Sequence, residues 1–335
     1  MKVTSPPRVN RGAVLALLAL VLIACVVVSM AVGSRPLSLA EVWNAVTAPG
    51  ARSDASSIVL PLRLPRTLLG LLVGAAGGAA GALSQGFTRN PLADPGILGV
   101  TGGAACAVVS GVYLLGADSQ LQHVLFGLLG AAVATGIVLG ISALTGTSPV
   151  GLVLLGTGLS AALLAVTSAI VLSDETSLDA WRFWNVGSLA DRGLDVVATV
   201  TPFITVGLAM ATACGVLLNA LGLGSELSRS LGVRPGRARL LGIVTITILA
   251  GAATAASGPV AFLGLVAPHL ARRIVGPDYR WIVPYSAVLG AVLLLACDIV
   301  GRVIGRPGEL QTGIVLALVG APFLMALVGR GRSTP

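Results

Sequence analysis

Charge is what this sequence has least of. Only 10% of its 335 residues are Asp, Glu, Lys or Arg, against roughly 25% in soluble domains. With 55% hydrophobic residues and a mean hydropathy of +0.96, the chain would expose far too much hydrocarbon in water, so its solvent is a bilayer. Lysine is nearly missing: Lys2 is the one lysine, and the other cations are arginines scattered through short connecting segments. The net charge of +8 therefore lacks the basic stripe with interleaved aromatics that grips nucleic acid. A Walker A loop needs a lysine after glycine to hold nucleotide phosphates, and none is there. Cys25, Cys106, Cys214 and Cys297 lie singly within apolar runs and read as core residues, neither a disulfide frame nor a metal site. His123 and His269 are far apart in sequence. No paired-carboxylate or Ser/His/Asp arrangement stands out, so no catalytic or metal-binding residue is expected, nor an enzyme.

What the chain has instead is long apolar runs. A helix rising about 1.5 Å per residue needs roughly 20 residues to cross a hydrocarbon core of about 30 Å. That ruler predicts spans at 12–33, 67–88, 97–117, 123–144, 150–172, 196–219, 281–301 and 310–329. Residues 240–271 carry no charge, but one helix of that length would measure roughly 48 Å. Ser257-Gly258-Pro259 interrupts it, which predicts two spans at 238–256 and 259–275. The first run follows Lys2, Arg8 and Arg11 and is too long for a signal-peptide core, so it reads as a retained span.

Arginine placement orients the spans. With the N-terminus inside, Lys2, Arg8, Arg11, Arg89, Arg229, Arg234, Arg237, Arg239, Arg272, Arg273, Arg280, Arg330 and Arg332 fall in cytoplasmic segments. Arg35, Arg52, Arg63, Arg66, Arg182, Arg192, Arg302 and Arg306 fall outside. The expected fold is an all-α polytopic membrane protein, a single transmembrane domain over 1–335 with about ten helices and both termini cytoplasmic.

Five segments depart from plain spans. Gly70, Gly74, Gly77, Gly78 and Gly81 give the second span a smooth face, read as close helix packing within the chain. Asn90-Pro91 and Asp94-Pro95 are consecutive turn signals that specify a rigid corner. In the fifth span Thr157, Ser160, Leu164, Thr167 and Ser168 share one helical face, a stripe suited to a solvated path or to helix packing. Beyond it, Trp181 and Trp184 fit an interfacial belt on a short helix opening near Thr176 or Ser177. The cytoplasmic segment 222–239 contains a glycine-bracketed stretch from Ser225 to Leu231, a two-turn helix with Ser225 as N-cap and Glu226 in its first turn. Asp298 is expected to pair with Arg302 at i,i+4.

The stretches "LRLPRTLLG", "SQGFTRNPLADPGILGVTGGA", "GSELSRSLGV", "ASGPVAFLGLVAPHLARRIVG", "DIVGR" and "ELQTGIVLALVGAPFLMAL" together resemble the permease subunit of bacterial ABC importers for iron–siderophore, haem and vitamin B12 complexes. The resemblance covers about 60–330. It implies the ten-span permease fold of the larger (type II) importers and a multi-pass place in the bacterial cell membrane. It also implies a second permease subunit, homo- or heterodimeric, two ATPase subunits inside that use ATP and magnesium, and an extracytoplasmic binding protein that delivers cargo. No cofactor is expected on this chain. By the same resemblance, Arg63, Arg66 and Arg302, with Arg306 nearby, are the outer charges that dock the binding protein. Ser225, Glu226, Leu227, Arg229, Leu231 and Gly232 correspond to the helix that couples to the ATPase. Thr157, Ser160, Thr167, Ser168 and Ser173 belong to the path and gate region, where Asp174 and Glu175 depart from the small hydroxyl residues of the vitamin B12 permease. The implied cargo is an iron–siderophore complex, with haem or vitamin B12 as alternatives. An ion-coupled secondary transporter is the competing class, with Asp298 and His269 its thin support.

Overall fold

The computed structural model describes residues 10–33, 35–48, 53–146 and 149–330; Lys2, Arg8, Arg52 and Arg332 lie outside the described residues. Among the described residues, seven helices are long and apolar enough to cross a membrane. They are α1 (Arg11–Ala31), α4 (Leu64–Thr88, continuous with the short α3 at Asp54–Ile58), α6 (Gln120–Thr145), α7 (Pro149–Ser173), α9 (Leu194–Gly222), α11 (Pro235–Ser257) and α13 (Tyr279–Ile304). Two shorter apolar helices join them, α5 (Val100–Leu115) and α14 (Thr312–Arg330).

The expected eighth span is shorter than its sequence suggests. Gly258 ends α11 at φ +74°, Pro259 brings no amide proton, and Phe262 turns left-handed at φ +66°. Helix α12 therefore starts only at Leu263 and runs to Val275. Its 13 residues reach about 20 Å, two thirds of a hydrocarbon core.

Cross-chain hydrogen bonds group the helix ends. At one end Arg11 donates to the Val275 carbonyl at 3.1 Å, Arg89 to that of Leu221 at 3.0 Å, and Arg272 to Gln85 Oε1 at 2.6 Å. At the other, Ser188 N–H meets the Ser257 carbonyl at 2.8 Å and Gly313 N–H that of Gly187 at 2.9 Å. The arginine count reads the first end as the inner one, and inner and outer name the two ends in that sense. Local chemistry sets several helix starts: Ser119 and Gln122 form a capping box at α6, and Pro235 opens α11.

Helices α4 and α11 are central, each 72% buried over its apolar window, whereas α7 is only 11% buried and faces away from the bundle. The glycine face of α4 explains its depth. A Cβ on Gly74 would stand 2.5 Å from the Ala291 Cα of α13, and one on Gly78 would collide with the Ser286 carbonyl. The two backbones thus touch over a strip with no side chains between them, where dispersion replaces the absent hydrophobic drive.

Between α1 and α4 the chain does more than connect. Helix α2 (Leu39–Thr47), α3 and a π-helical turn at Val59–Arg63 fold over the outer end. There Met30, Leu37, Ala45, Ala55 and Val59 make a small core of their own. On the same side, between α7 and α9, lies α8 (Glu175–Asn185), and inside, between α9 and α11, lies α10 (Ser225–Ser230).

Candidate functional site

The outer arginines are buried. Arg63, Arg66 and Arg302 expose 5%, 8% and 2% of their surface, which places them inside the subunit and not on an open docking rim. Arg66, at the start of α4, bonds Asp298 of α13 through Nε at 3.1 Å and Nη2 at 2.9 Å, and Glu309 Oε2 through Nη1 at 2.5 Å. Arg302 reaches the other Asp298 oxygen at 2.9 Å, completing the i,i+4 pair. It also donates to the Ser29 and Val32 carbonyls of α1 at 2.8 and 2.9 Å. Thr312 Oγ donates to Asp298 at 2.8 Å. One fully buried carboxylate thus holds two guanidiniums and the first turn of α14. Arg63 fastens the outer cap: its Nη1 donates to the Met30 and Ala31 carbonyls, both at 2.7 Å, and its Nη2 to that of Arg35. Arg306 alone of the four is exposed, bonded through Nη2 to the Gly33 carbonyl at 2.7 Å.

Beside this cluster a cavity of about 950 Å³ opens on the outer side, with Arg66, Gln120, His123, Trp184, Arg192 and Glu309 in its wall. Arg192 sits in the loop between α8 and α9, 8% exposed, with neither Nε nor Nη1 hydrogen-bonded. Burial pushes its pKa down to about 10, against a smaller opposing pull from Asp191. Nothing in "SLADRGLD" distinguishes Arg192 from a loop cation, so sequence reasoning passed over it. Trp184 is only 3% exposed and belongs to the main core, a correction to the interfacial role read for it.

The hydroxyl stripe of α7 divides. Thr157, Leu164 and Ser168 are exposed on the surface of the subunit, Ser160 is half-buried against Gly102 of α5, and Thr167 is buried. Each hydroxyl donates to a carbonyl of the preceding turn, Ser160 to Gly156 at 2.8 Å and Thr167 to Leu163 at 2.9 Å. None is left seeking a partner within the chain. Ser173 closes α7 exposed. Asp174 is the N-cap of α8, accepting from Ser177 N–H at 2.7 Å; the Ser177 side chain first, then its backbone N–H, hold the carboxyl below the usual range, and Glu175 lies in the first turn. The acids of the gate region therefore have a helix-starting job.

In the corner, Asn90 Oδ1 accepts from Leu92 N–H at 2.9 Å and Asp94 Oδ1 from Gly96 N–H at 2.8 Å. Pro91 follows the first cap, and Pro95 opens a 3₁₀ turn to Leu98. The corner folds inward, with Pro95 packed on Gly264 of α12.

On the inner face α10 is capped by Gly224 at φ +99°, so Ser225 is the first helical residue and not the cap; glycine takes this positive φ without strain but brings no side chain to cap with. Glu226 and Arg229 are exposed, as are Leu227 and Leu231 at 56% and 61%, while Gly232 leaves the helix at φ +80°. Two exposed apolar side chains, one on this six-residue helix and one at its C-cap, are a surface awaiting a partner.

Asp298 cannot serve as a free ion site while held between Arg66 and Arg302. His269, on α12, packs edge-on against Phe323 at 5.9 Å.

Comparison with known proteins agrees with this architecture. The chain is 44% identical over 319 residues to the ferric enterobactin transport system permease protein FepD of Escherichia coli K12, covering 93% of this chain and 94% of that one. It is 36% identical to the siderophore transport system permease protein YfiZ of Bacillus subtilis 168, covering 96% and 97%. A solved inward-facing ABC transporter of metal-chelate type superimposes with a TM-score of 0.84 at 27% identity, covering 95% of this chain and 99% of that one. The profile of the FecCD transport family matches residues 20–330, and this chain belongs to that family.

Proposed function

We propose that this chain is the transmembrane permease subunit of an ATP-binding cassette importer that carries an iron–siderophore, or a related metal-chelate complex, into the cytoplasm. The observation that carries this reading is the near full-length match to permeases named for ferric enterobactin and for siderophore transport. The chain is then a conduit in the bacterial inner membrane, and its energy comes from elsewhere. Its only lysine is Lys2, so a phosphate-binding lysine must come from partner subunits, which use ATP and magnesium. A second permease subunit would cover the exposed face of α7, and two ATPase subunits would take α10 with Glu226, Leu227 and Leu231 as the contacts. An extracytoplasmic binding protein would meet the outer end, where Arg306 is presented and Arg63, Arg66 and Arg302 shape the surface from within. Alternating access follows when the ATPases move α10 and reorient the path, since a ligand shifts a conformational equilibrium only by its differential affinity.

Reconstitution tests the reading. Liposomes holding the permease with its ATPase and binding protein should accumulate a labelled ferric chelate only with ATP inside the compartment facing α10. Accumulation by the isolated chain on a proton or sodium gradient would overturn it.

A further inference from the structure

Guanidiniums at the outer end come in two kinds. Although Arg302 Nε has no acceptor among the described residues, Arg63, Arg66 and Arg302 each hold carbonyls or carboxylates of this same chain through their terminal nitrogens. Arg192 does not. It is as buried as Arg66, yet Nε and Nη1 find no acceptor among the described residues. A buried cation without a partner is costly, and such a group persists where it has something to bind.

Its surroundings say what that is. Arg192 stands in the wall of the 950 Å³ outer cavity. The charged and titratable groups facing the same space are Arg66, His123, Asp191 and Glu309. Glu309 is taken by Arg66 at 2.5 Å. Asp191, next in the chain, is exposed and turned left-handed at φ +56°, and among the described residues it makes no ion pair with Arg192. His123 Nε2 meets the Ala117 carbonyl at 3.2 Å. Gln120 and Gln311 add neutral amides. Among the described residues the one buried charge in the cavity without an ion-pair partner is Arg192, positive, planar and forked, the donor geometry that fits a carboxylate. A cavity of this volume is of the size that encloses a small organic ligand.

We propose that this outer cavity is an anion site for a carboxylate group bound by Arg192. It lies within one subunit, apart from the exposed stripe of α7. The inference rests on the outer orientation adopted in the functional reading above. The carboxylate arrives either on a free small molecule, such as a polycarboxylate chelate, or on an acidic side chain of a protein at the outer face.

The test uses the full chain in nanodiscs of zwitterionic lipid and ligand-observed NMR, with two probes: citrate, and a blocked pentapeptide carrying one glutamate. Binding of either at low millimolar concentration, weakened at least tenfold in Arg192→Gln and partly kept in Arg192→Lys, supports the site; the tighter probe identifies the source. Ala180→Trp, which fills the cavity from the α8 wall and leaves the Arg192 side chain in place, should abolish the same signal if Arg192→Gln fails to fold. Arg182→Gln, on the exposed side of α8, should leave it unchanged. No binding of either probe, or equal binding in wild type, Arg192→Gln and Ala180→Trp, overturns the proposal. The measurement needs neither ATPase nor uptake, so a failed transport assay would sink the importer reading and leave this site standing.

Discussion

The Arg66 guanidinium and the Asp298 carboxylate, 232 positions apart in the chain, meet at 2.9 Å and tie the start of α4 to the outer end of α13. Arg302 closes on the same carboxylate from one turn further along α13. Neutralising Asp298 would leave two buried guanidiniums facing each other. Asp298→Asn should therefore cost about 3–5 kcal/mol, the usual penalty for breaking a buried pair from one side, read as a lower melting temperature in nanodiscs. Arg66→Glu should fail in the same way, because it sets an acid against Asp298. Replacing Arg66, Asp298 and Arg302 together by Met, Leu and Met should recover most of the loss. Wild-type melting of Asp298→Asn would refute the structural role.

Helix contact makes a second expectation. Gly78 lies under the Ser286 carbonyl, so any Cβ forces α4 and α13 apart. Gly78→Leu should destabilise by more than the about 1–3 kcal/mol typical of overpacking, since backbone and not a side-chain tip must yield. Gly136, with open space around it, is the control: Gly136→Leu should express and melt normally.

The inner helix can be probed without touching the fold. Leu227 and Leu231 are exposed, so Leu227→Asp with Leu231→Asp should leave melting within about 0.5 kcal/mol of wild type. Co-purification of the ATPase should drop at least tenfold. Glu226→Arg should weaken association or uncouple hydrolysis from uptake. Normal co-purification and uptake in both variants would remove α10 from the coupling surface.

Asp278 supplies a pH dependence. Arg280, then Asn219, hold its pKa down to about 2, below the usual carboxylate value near 4. A depressed folded-state pKa stabilises above the unfolded value and is lost as pH falls from about 4 towards 2. Melting temperature should fall faster over that window in wild type than in Asp278→Asn. Parallel curves would show that the Arg280 and Asn219 contacts contribute nothing.

Much of the bundle was legible because it depends on neighbours in sequence. Apolar run lengths marked the helices to within a few residues, and Asn90-Pro91 and Asp94-Pro95 carry their turns locally. The failures share one cause. Ser225 looked like an N-cap until Gly224 proved left-handed, and the run from Pro259 looked like a span until Phe262 delayed the helix; in each case a single backbone angle overrode composition. Trp184 looked interfacial because sequence cannot say which helix face meets the core.

Hydropathy alone decided that this chain belongs in a membrane, and arginine distribution set the expected orientation of its ends. Those are sums over residues, and a sum needs no coordinates. Which arginine is held by its own subunit and which is left open was decided only in three dimensions. Arg66 finds a carboxylate brought from the far end of the chain, whereas Arg192 finds none among the described residues, and electrostatic partnership depends on distance in space.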